Sequence, residues 1–256
     1  MYFTYLSRND SSPNLKIKNE QIICIVPAFN EEGKIGTQVK RLVNTNIFNI
    51  ILVVNDGSND NTAIEASKAG AVVISNKKNF GVGRSIIHGL KYSLQHNFTI
   101  GSIISGDLQH DPKDFHKLLK FMLKNKIDMV TGSRFGKGGK IINGPLIRVL
   151  MTRFYALIYS IMVFKYLKDP SNGMRIFRLS IFEKLNLDLE KSSLNSYEFE
   201  PYFLFKAIKS KKIIVHEIGI TVSYADSKEE FSKMKPFIDW WKLVKPPIFL
   251  GLKIWK

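Results

Sequence analysis

The chain has 256 residues, 45% of them hydrophobic, and a formal net charge of +16, enough for one large domain, or one with an appendage, that buries most of its apolar surface. Its single cysteine, Cys24 in the apolar run IICIV, excludes an intrachain disulfide and reads as a buried structural thiol in a reducing compartment. The positive surface suits polyanions, anionic membrane or phosphate-bearing substrates, but no zinc-finger spacing, basic-region heptad or RNA-binding strand motif is present, so no specific nucleic-acid partner is expected.

Residues 1–20 hold no apolar core of signal-peptide length and several polar breakers, which predicts a flexible tail and no secretion. From Ile22 the pattern alternates. IICIVPAF, IILVVND, AVVISN, IGSIISGD and IDMVTGS read as strands buried on both faces. The segments between them, EEGKIGTQVKRLV, NDNTAIEASKAG, VGRSIIHGLKYSLQHN and DPKDFHKLLKFMLKN, carry apolar residues at helical spacing. The alternation predicts an α/β fold, a mostly parallel sheet with helices on both faces.

After Ser133 the pattern breaks. GKGGKIINGP (Gly136 to Pro145) reads as a loop, and the aromatic-apolar segment Leu146 to Phe164 follows; Arg148 and Arg153 inside it argue against a membrane span. Next come KDPSNGMRIFRLS, a helix-like SYEFEPYFLFKAIKSK, a strand-like KIIVHEIGI and a polar loop YADSKEEFSKMKP. The tail, 236–256, places Phe237, Trp240, Trp241 and Val244 on one helical face among lysines. That face suits either a core contact or an anionic membrane interface, and Pro246-Pro247 is expected to end the helix.

In open α/β sheets ligands bind beyond the carboxyl ends of the strands. The residues there are PAFNEE, NDGSND, NFGVG, SGDLQH and GSRF. Each alone is an ordinary turn or helix entry; five polar clusters at one edge make a candidate site.

The ordered set IVPAFNEE, VVNDGSNDNT, NFGVGRSIIHG, GDLQHDP, GSRF, DPSNGMRIF and FSKM resembles the inverting family 2 glycosyltransferases of GT-A fold, especially the dolichol- and polyprenyl-phosphate mannose and glucose synthases, from Ile22 to Lys235. The resemblance implies a GT-A domain over 21–235. It implies that Pro27, Ala28, Phe29, Asn30, Glu31 and Asp56 hold the nucleoside of a UDP- or GDP-sugar, with Gly83, Arg84 and Gly106 also at the nucleotide sugar. Asp107, with Gln109 beside it, would ligate the Mg²⁺ or Mn²⁺ that bridges the donor diphosphate. Two positions depart from the family pattern: Ser105 replaces the first acid of Asp-x-Asp, and Asn55 stands where relatives often carry an acid.

A phosphate monoester has its second pKa near about 6 and is already an anionic nucleophile at neutral pH. A polyprenyl phosphate acceptor therefore needs cations, for which Arg134, Arg148, Arg175, Ser232 and Lys233 are candidates, Arg134 and Lys233 positioning the phosphate for reaction. The arginine that usually precedes the family's Ser-Lys pair is absent. A hydroxyl acceptor on a glycolipid or polysaccharide would need a base, and Asp169 and Glu200 are available; a non-catalytic nucleotide-sugar-binding relative is the third reading. The expected setting is cytoplasmic, peripheral on the cytoplasmic face of an anionic membrane, with room for a membrane-protein subunit.

Overall fold

The computed structural model describes residues 20–185, 187, 189–224 and 238–255. The expected alternation is present from its first strand. β1 (Ile22–Ala28), β2 (Ile50–Asn55), β3 (Val72–Ser75) and β4 (Ile100–Ile103) are linked by α1 (Ile35–Val43), α2 (Thr62–Lys68) and α3 (Val82–Gln95), and α4 (Asp114–Lys124) leads to β5 (Met129–Ser133). Then follow β6 (Lys140–Ile142), α5 (Leu146–Val163), β7 (Arg175–Arg178), α6 (Ile181–Leu185), α7 (Phe199–Lys209), β8 (Val215–Gly219), β9 (Thr221–Ser223) and α8 (Ile238–Gly251).

Seven strands form one sheet in the order β3-β2-β1-β4-β7-β5-β8, and β6 pairs with β9 beside it. All sheet pairs are parallel except those of β7, which runs antiparallel between β4 and β5. Both faces are covered. Ile23 and Ile25 of β1 point to a core shared with α3, α5 and α7. Cys24 and Val26, one step out of phase, enter the opposite core with α1 and α4. This two-sided burial explains why these strands read as unbroken apolar runs. Burial also pushes the Cys24 thiol up to about 12, which leaves it protonated and inert.

The tail departs from expectation. α8 runs through Pro246 and Pro247. A helical proline at 247 leaves the Leu243 carbonyl without its usual N–H donor, and the Tyr155 hydroxyl of α5 donates to that oxygen at 3.2 Å. Neighbouring side-chain donors of this kind let a helix tolerate proline. Trp240, Leu243 and Val244 pack on the core, while Trp241 is half exposed. The tail helix is thus partly a core element.

α5 also differs from expectation, because its length and apolarity match a membrane-crossing helix despite Arg148 and Arg153. Its 18 residues reach about 27 Å. Thr152, Tyr155, Ala156 and Tyr159 form a stripe buried against the protein, and Leu146, Ile147, Leu150, Phe154, Leu157 and Ile161 are each more than half exposed on the other side.

Candidate active site

A cavity of about 990 Å³ opens at the carboxyl ends of β1, β2 and β4. Its first wall is the β1–α1 loop, with Pro27, Ala28, Phe29, Asn30 and Glu31 all lining it. That loop is tied to the β2–α2 loop: Asn30 N–H donates to Ser58 Oγ at 3.0 Å, Asn59 N–H to Asn30 Oδ1 at 3.1 Å and Glu31 N–H to Thr62 Oγ1 at 2.8 Å. Asn30 sits in the left-handed region, at φ 51°, a conformation that asparagine adopts more readily than most residues.

Asp56 lines the cavity but is nearly buried. Its Oδ1 accepts from Asn76 Nδ2 at 2.7 Å and Phe80 N–H at 3.0 Å, and its Oδ2 from Gly81 N–H at 2.8 Å. In this structure the carboxylate shapes the β3–α3 loop. Gly83 and Arg84, expected at the nucleotide, do not line the cavity. A Cβ on Gly83 would run into the carbonyl oxygens of Leu194 and Ser196. Arg84 Nε donates to Asn195 Oδ1 at 2.9 Å, and its guanidinium pairs with Glu190. Both residues dock α3 against the segment before α7. Gly83→Ala is expected to cost about 1–3 kcal/mol, the usual price of overpacking, and thermal unfolding would register it as a lower Tm; an unchanged Tm would refute this close approach.

The β4–α4 loop supplies the acidic corner. Gly106, Asp107 and Gln109 line the cavity as expected, together with Ser105 and Leu108. Leu108 lies at φ 66°, which costs a residue with a side chain roughly 1–2 kcal/mol. Around this kink Asp107 Oδ1 accepts from Ser105 Oγ at 2.6 Å and from Gln109 N–H at 3.1 Å. The other carboxylate oxygen, Oδ2, has no protein partner among the described residues. Ser105 thus orients the carboxylate that in relatives would have a second acid near it. His110 is buried behind the loop, 3.5 Å from Ser105 Oγ. Burial holds its imidazole below the ordinary histidine range, against the pull of Asp107.

No group of three or more metal-ligating side chains occurs among the described residues. The Asp107 carboxylate, with Gln109 also lining the cavity, nevertheless offers oxygen donors of the hard type that Mg²⁺ and Mn²⁺ take when phosphates and water complete the shell. The residues present fit such an ion.

Arg134, expected to meet an acceptor phosphate, is instead buried and committed. Its Nε and Nη2 form a two-pronged bond with Asp169 at 2.7 and 2.6 Å, its Nη1 donates to Tyr224 Oη at 2.9 Å and its backbone N–H adds a third contact to Asp169. Burial by itself would lower the Arg134 pKa, but Asp169 and then Tyr224 hold it above the ordinary arginine value. Asp169 is fully buried in this pair and its loop is fixed by Glu217, which accepts from the Lys168 and Asp169 N–H groups at 2.8 Å each. Arg175 is likewise buried, donating to the carbonyls of Asn172 and Glu200 at 2.9 and 3.1 Å. Glu200 lies 3.4 Å from the same guanidinium, and burial raises its pKa despite that charge. Neither Asp169 nor Glu200 lines the cavity, so neither stands where a base for a hydroxyl acceptor is needed.

Among the described residues, Arg148 is the expected acceptor cation that lines the cavity, its guanidinium 4.8 Å from the centre of the Tyr224 ring. Ser232 and Lys233 lie outside the described residues. The last wall was missed by the sequence reading: Ser196 and Tyr197 from before α7, and Asp239 and Lys242 from α8. No local signal marks them, because tertiary packing alone brings them to the strand ends.

Residues 23–186, which include β2 to β7, all of β1 but Ile22, and the Asp107 loop, match the family model described as glycosyl transferase family 2. The chain is 30% identical to the UDP-N-acetylglucosamine--dolichyl-phosphate N-acetylglucosaminyltransferase of Methanococcus voltae over 80% of this chain and 86% of that one. It is 28% identical to the undecaprenyl-phosphate mannosyltransferase of Micrococcus luteus, over 78% and 83% respectively. The fold is also that of glucosyl-3-phosphoglycerate synthase from Mycobacterium tuberculosis, solved with Mn²⁺, uridine diphosphate and phosphoglyceric acid, at a TM-score of 0.67 and 18% identity over 91% of this chain and 78% of that one. With a family model matching well over half of its length and relatives of that activity, the chain belongs to glycosyl transferase family 2 and is a glycosyltransferase.

Proposed function

We propose that this enzyme moves a hexose from a UDP- or GDP-sugar to a polyprenyl phosphate at an anionic membrane surface, with inversion and with Mg²⁺ or Mn²⁺ at Asp107. The observation that carries the reading is the union, in one cavity, of Asp107, whose Oδ2 has no partner among the described residues, and Arg148 at the start of an exposed apolar helix. The named relatives, which act on dolichyl and undecaprenyl phosphates, support it.

The chemistry assigns work to each wall. The β1–α1 loop holds the nucleoside, and Asp107 and Gln109 face the diphosphate. A divalent cation bound there would spread the negative charge that grows on the leaving nucleoside diphosphate. Arg148 aims the acceptor phosphate, which attacks the anomeric carbon in line and needs no base. Tyr224, anchored by Arg134, fixes the plane on which Arg148 rests. The isoprenoid tail and the membrane meet the outer face of α5. Exposed Arg153, Lys165 and Lys168 edge that face, and cations of this kind are drawn to anionic headgroups.

The reading is tested by incubating the protein with radiolabelled UDP- and GDP-sugars, short-chain polyprenyl phosphate and Mg²⁺ or Mn²⁺. A labelled lipid that is absent with EDTA is the expected result; donor binding without any lipid product would overturn it. For the membrane arm, the double change Phe154→Glu, Leu157→Glu is expected to abolish co-sedimentation with phosphatidylglycerol vesicles while leaving nucleotide binding and Tm in place. Charged residues are disfavoured by roughly 2–3 kcal/mol each in apolar lipid. Unaltered vesicle binding would remove α5 as the contact.

A further inference from the structure

We propose that the base end of the cavity selects uracil over guanine, because the fold leaves Asp56 a single acceptor position for a ligand. This inference rests on the nucleotide-sugar reading above and narrows its donor to a UDP-sugar.

A carboxylate offers about four acceptor positions, shared between its two oxygens. On Asp56 the protein itself occupies most of them. Oδ1 accepts from Asn76 Nδ2 at 2.7 Å and from Phe80 N–H at 3.0 Å, and Oδ2 accepts from Gly81 N–H at 2.8 Å. Among the described residues this leaves one position, on Oδ2. Asp56 lines the cavity beside Asn79, Gly81 and Val82, so that position is the one a base can use.

The donors that fill the others are held in place. Asn76 Nδ2 also donates to Ser85 Oγ at 3.2 Å, and Asn76 Oδ1 lies 2.8 Å from His88 Nδ1. An amide oxygen only accepts, so Nδ1 carries the hydrogen of that bond and the amide is kept with its NH₂ toward Asp56. His88 is thus a positioning residue that acts through Asn76. The backbone donors are clamped as well. Gly57, at φ 71°, presses on the Lys78–Asn79 backbone and Gly81 presses on the Asn195 carbonyl, each so closely that a Cβ would clash. The loop therefore cannot withdraw Phe80 N–H to free Oδ1.

The pairing edge of each base then decides. Uracil presents one N–H, at N3 between two carbonyls, and needs one acceptor. Guanine presents N1–H and its N2 amino group side by side, a pair that a carboxylate meets with both oxygens; with Oδ1 filled, one of the two has no acceptor. Cytosine turns a lone pair at N3 toward the carboxylate and is repelled. A buried donor left unpaired costs more than a made bond gains, which is how a site built for one hydrogen-bonding pattern rejects another.

The test is calorimetric titration of wild-type protein, Asn76→Ala and His88→Ala with UDP, GDP and CDP in the presence of Mg²⁺, with Tm recorded for each variant. Wild-type protein is expected to bind UDP at least tenfold more tightly than either GDP or CDP. Asn76→Ala opens a position on Oδ1 and should bring GDP to within about threefold of UDP, with CDP still weak; His88→Ala, which lets the amide turn over, should narrow the ratio in part. A loss of folding does not produce this change, because it weakens all three nucleotides alike. GDP or CDP bound by wild-type protein as tightly as UDP would overturn the proposal and leave the nucleotide-sugar reading standing. A tenfold preference for UDP over GDP that persists in folded Asn76→Ala would place the choice of base away from Asp56 and overturn it too. Wild-type protein that binds none of the three would overturn the donor reading, and this inference with it.

Discussion

Asp107→Asn is expected to lower turnover about a thousandfold, equivalent to about 4 kcal/mol of lost transition-state stabilisation. The asparagine retains a carbonyl oxygen for the Ser105 hydroxyl and the Gln109 N–H, so the loop should keep its shape around Leu108. What disappears is the negative charge that, on the proposed reading, would hold a divalent cation. Mn²⁺ titration in the presence of nucleoside diphosphate would read that loss separately from turnover. The companion change Ser105→Asp places a second carboxylate where Ser105 Oγ now sits 2.6 Å from Asp107 Oδ1, and it should tighten Mn²⁺ binding in the absence of nucleotide. Turnover within tenfold of wild type for Asp107→Asn would remove this residue from the reaction.

The second large effect is expected at a residue that touches no substrate. Breaking a buried, doubly bonded ion pair from one side typically costs about 3–5 kcal/mol, because the surviving charge is left unpaired in a poor solvent for it. Arg134→Ala should therefore lower Tm by roughly 10 °C for a chain of this size. Arg134→Lys should rescue little, since a lysine cannot reproduce the planar fork that meets both oxygens of Asp169. A further consequence separates this residue from a simple brace. Tyr224 loses the Nη1 donor that holds its hydroxyl, so Arg148 loses its platform and KM for polyprenyl phosphate should rise, while donor KM stays near wild type at a temperature where the variant is folded. A variant of wild-type Tm would contradict the buried pair, and an unchanged acceptor KM the link through Tyr224.

The sheet was legible in the sequence because a strand buried on both faces must be an apolar run and its helices must repeat at 3.6 residues. The loops at the strand ends were legible for the same reason: once β1, β2 and β4 are placed, Pro27 to Glu31, Asp56 and Ser105 to Gln109 fall at one edge. Side-chain partnerships were not. Arg134 and Asp169 look like two free functional groups in the sequence, and only folding shows that each satisfies the other. Gly83 and Arg84 sit inside a recognisable motif, yet they pack against Asn195 and Ser196, a contact across more than a hundred residues. The path of α8 was misread at Pro246-Pro247, since the donor that replaces the missing N–H comes from Tyr155 on another helix.

The antiparallel strand β7 has a consequence for how the molecule assembles. β3, β2, β1 and β4 form a contiguous block from the first part of the chain, whereas β5 meets its neighbours only when β7 and β8 arrive from beyond α5. Until then the edge of β4, with Ile100 and Ile103 buried in the final fold, is an open template for pairing with other chains. Non-local closure of this kind is slow. A chain cut before Arg175 should therefore aggregate, although it retains the β1–α1 loop and Asp107. Since Asp107 follows β4 on one side of β7 and Arg134 follows β5 on the other, the seam that closes last in folding is the seam that joins the acidic loop of the cavity to the buried Arg134–Asp169 pair.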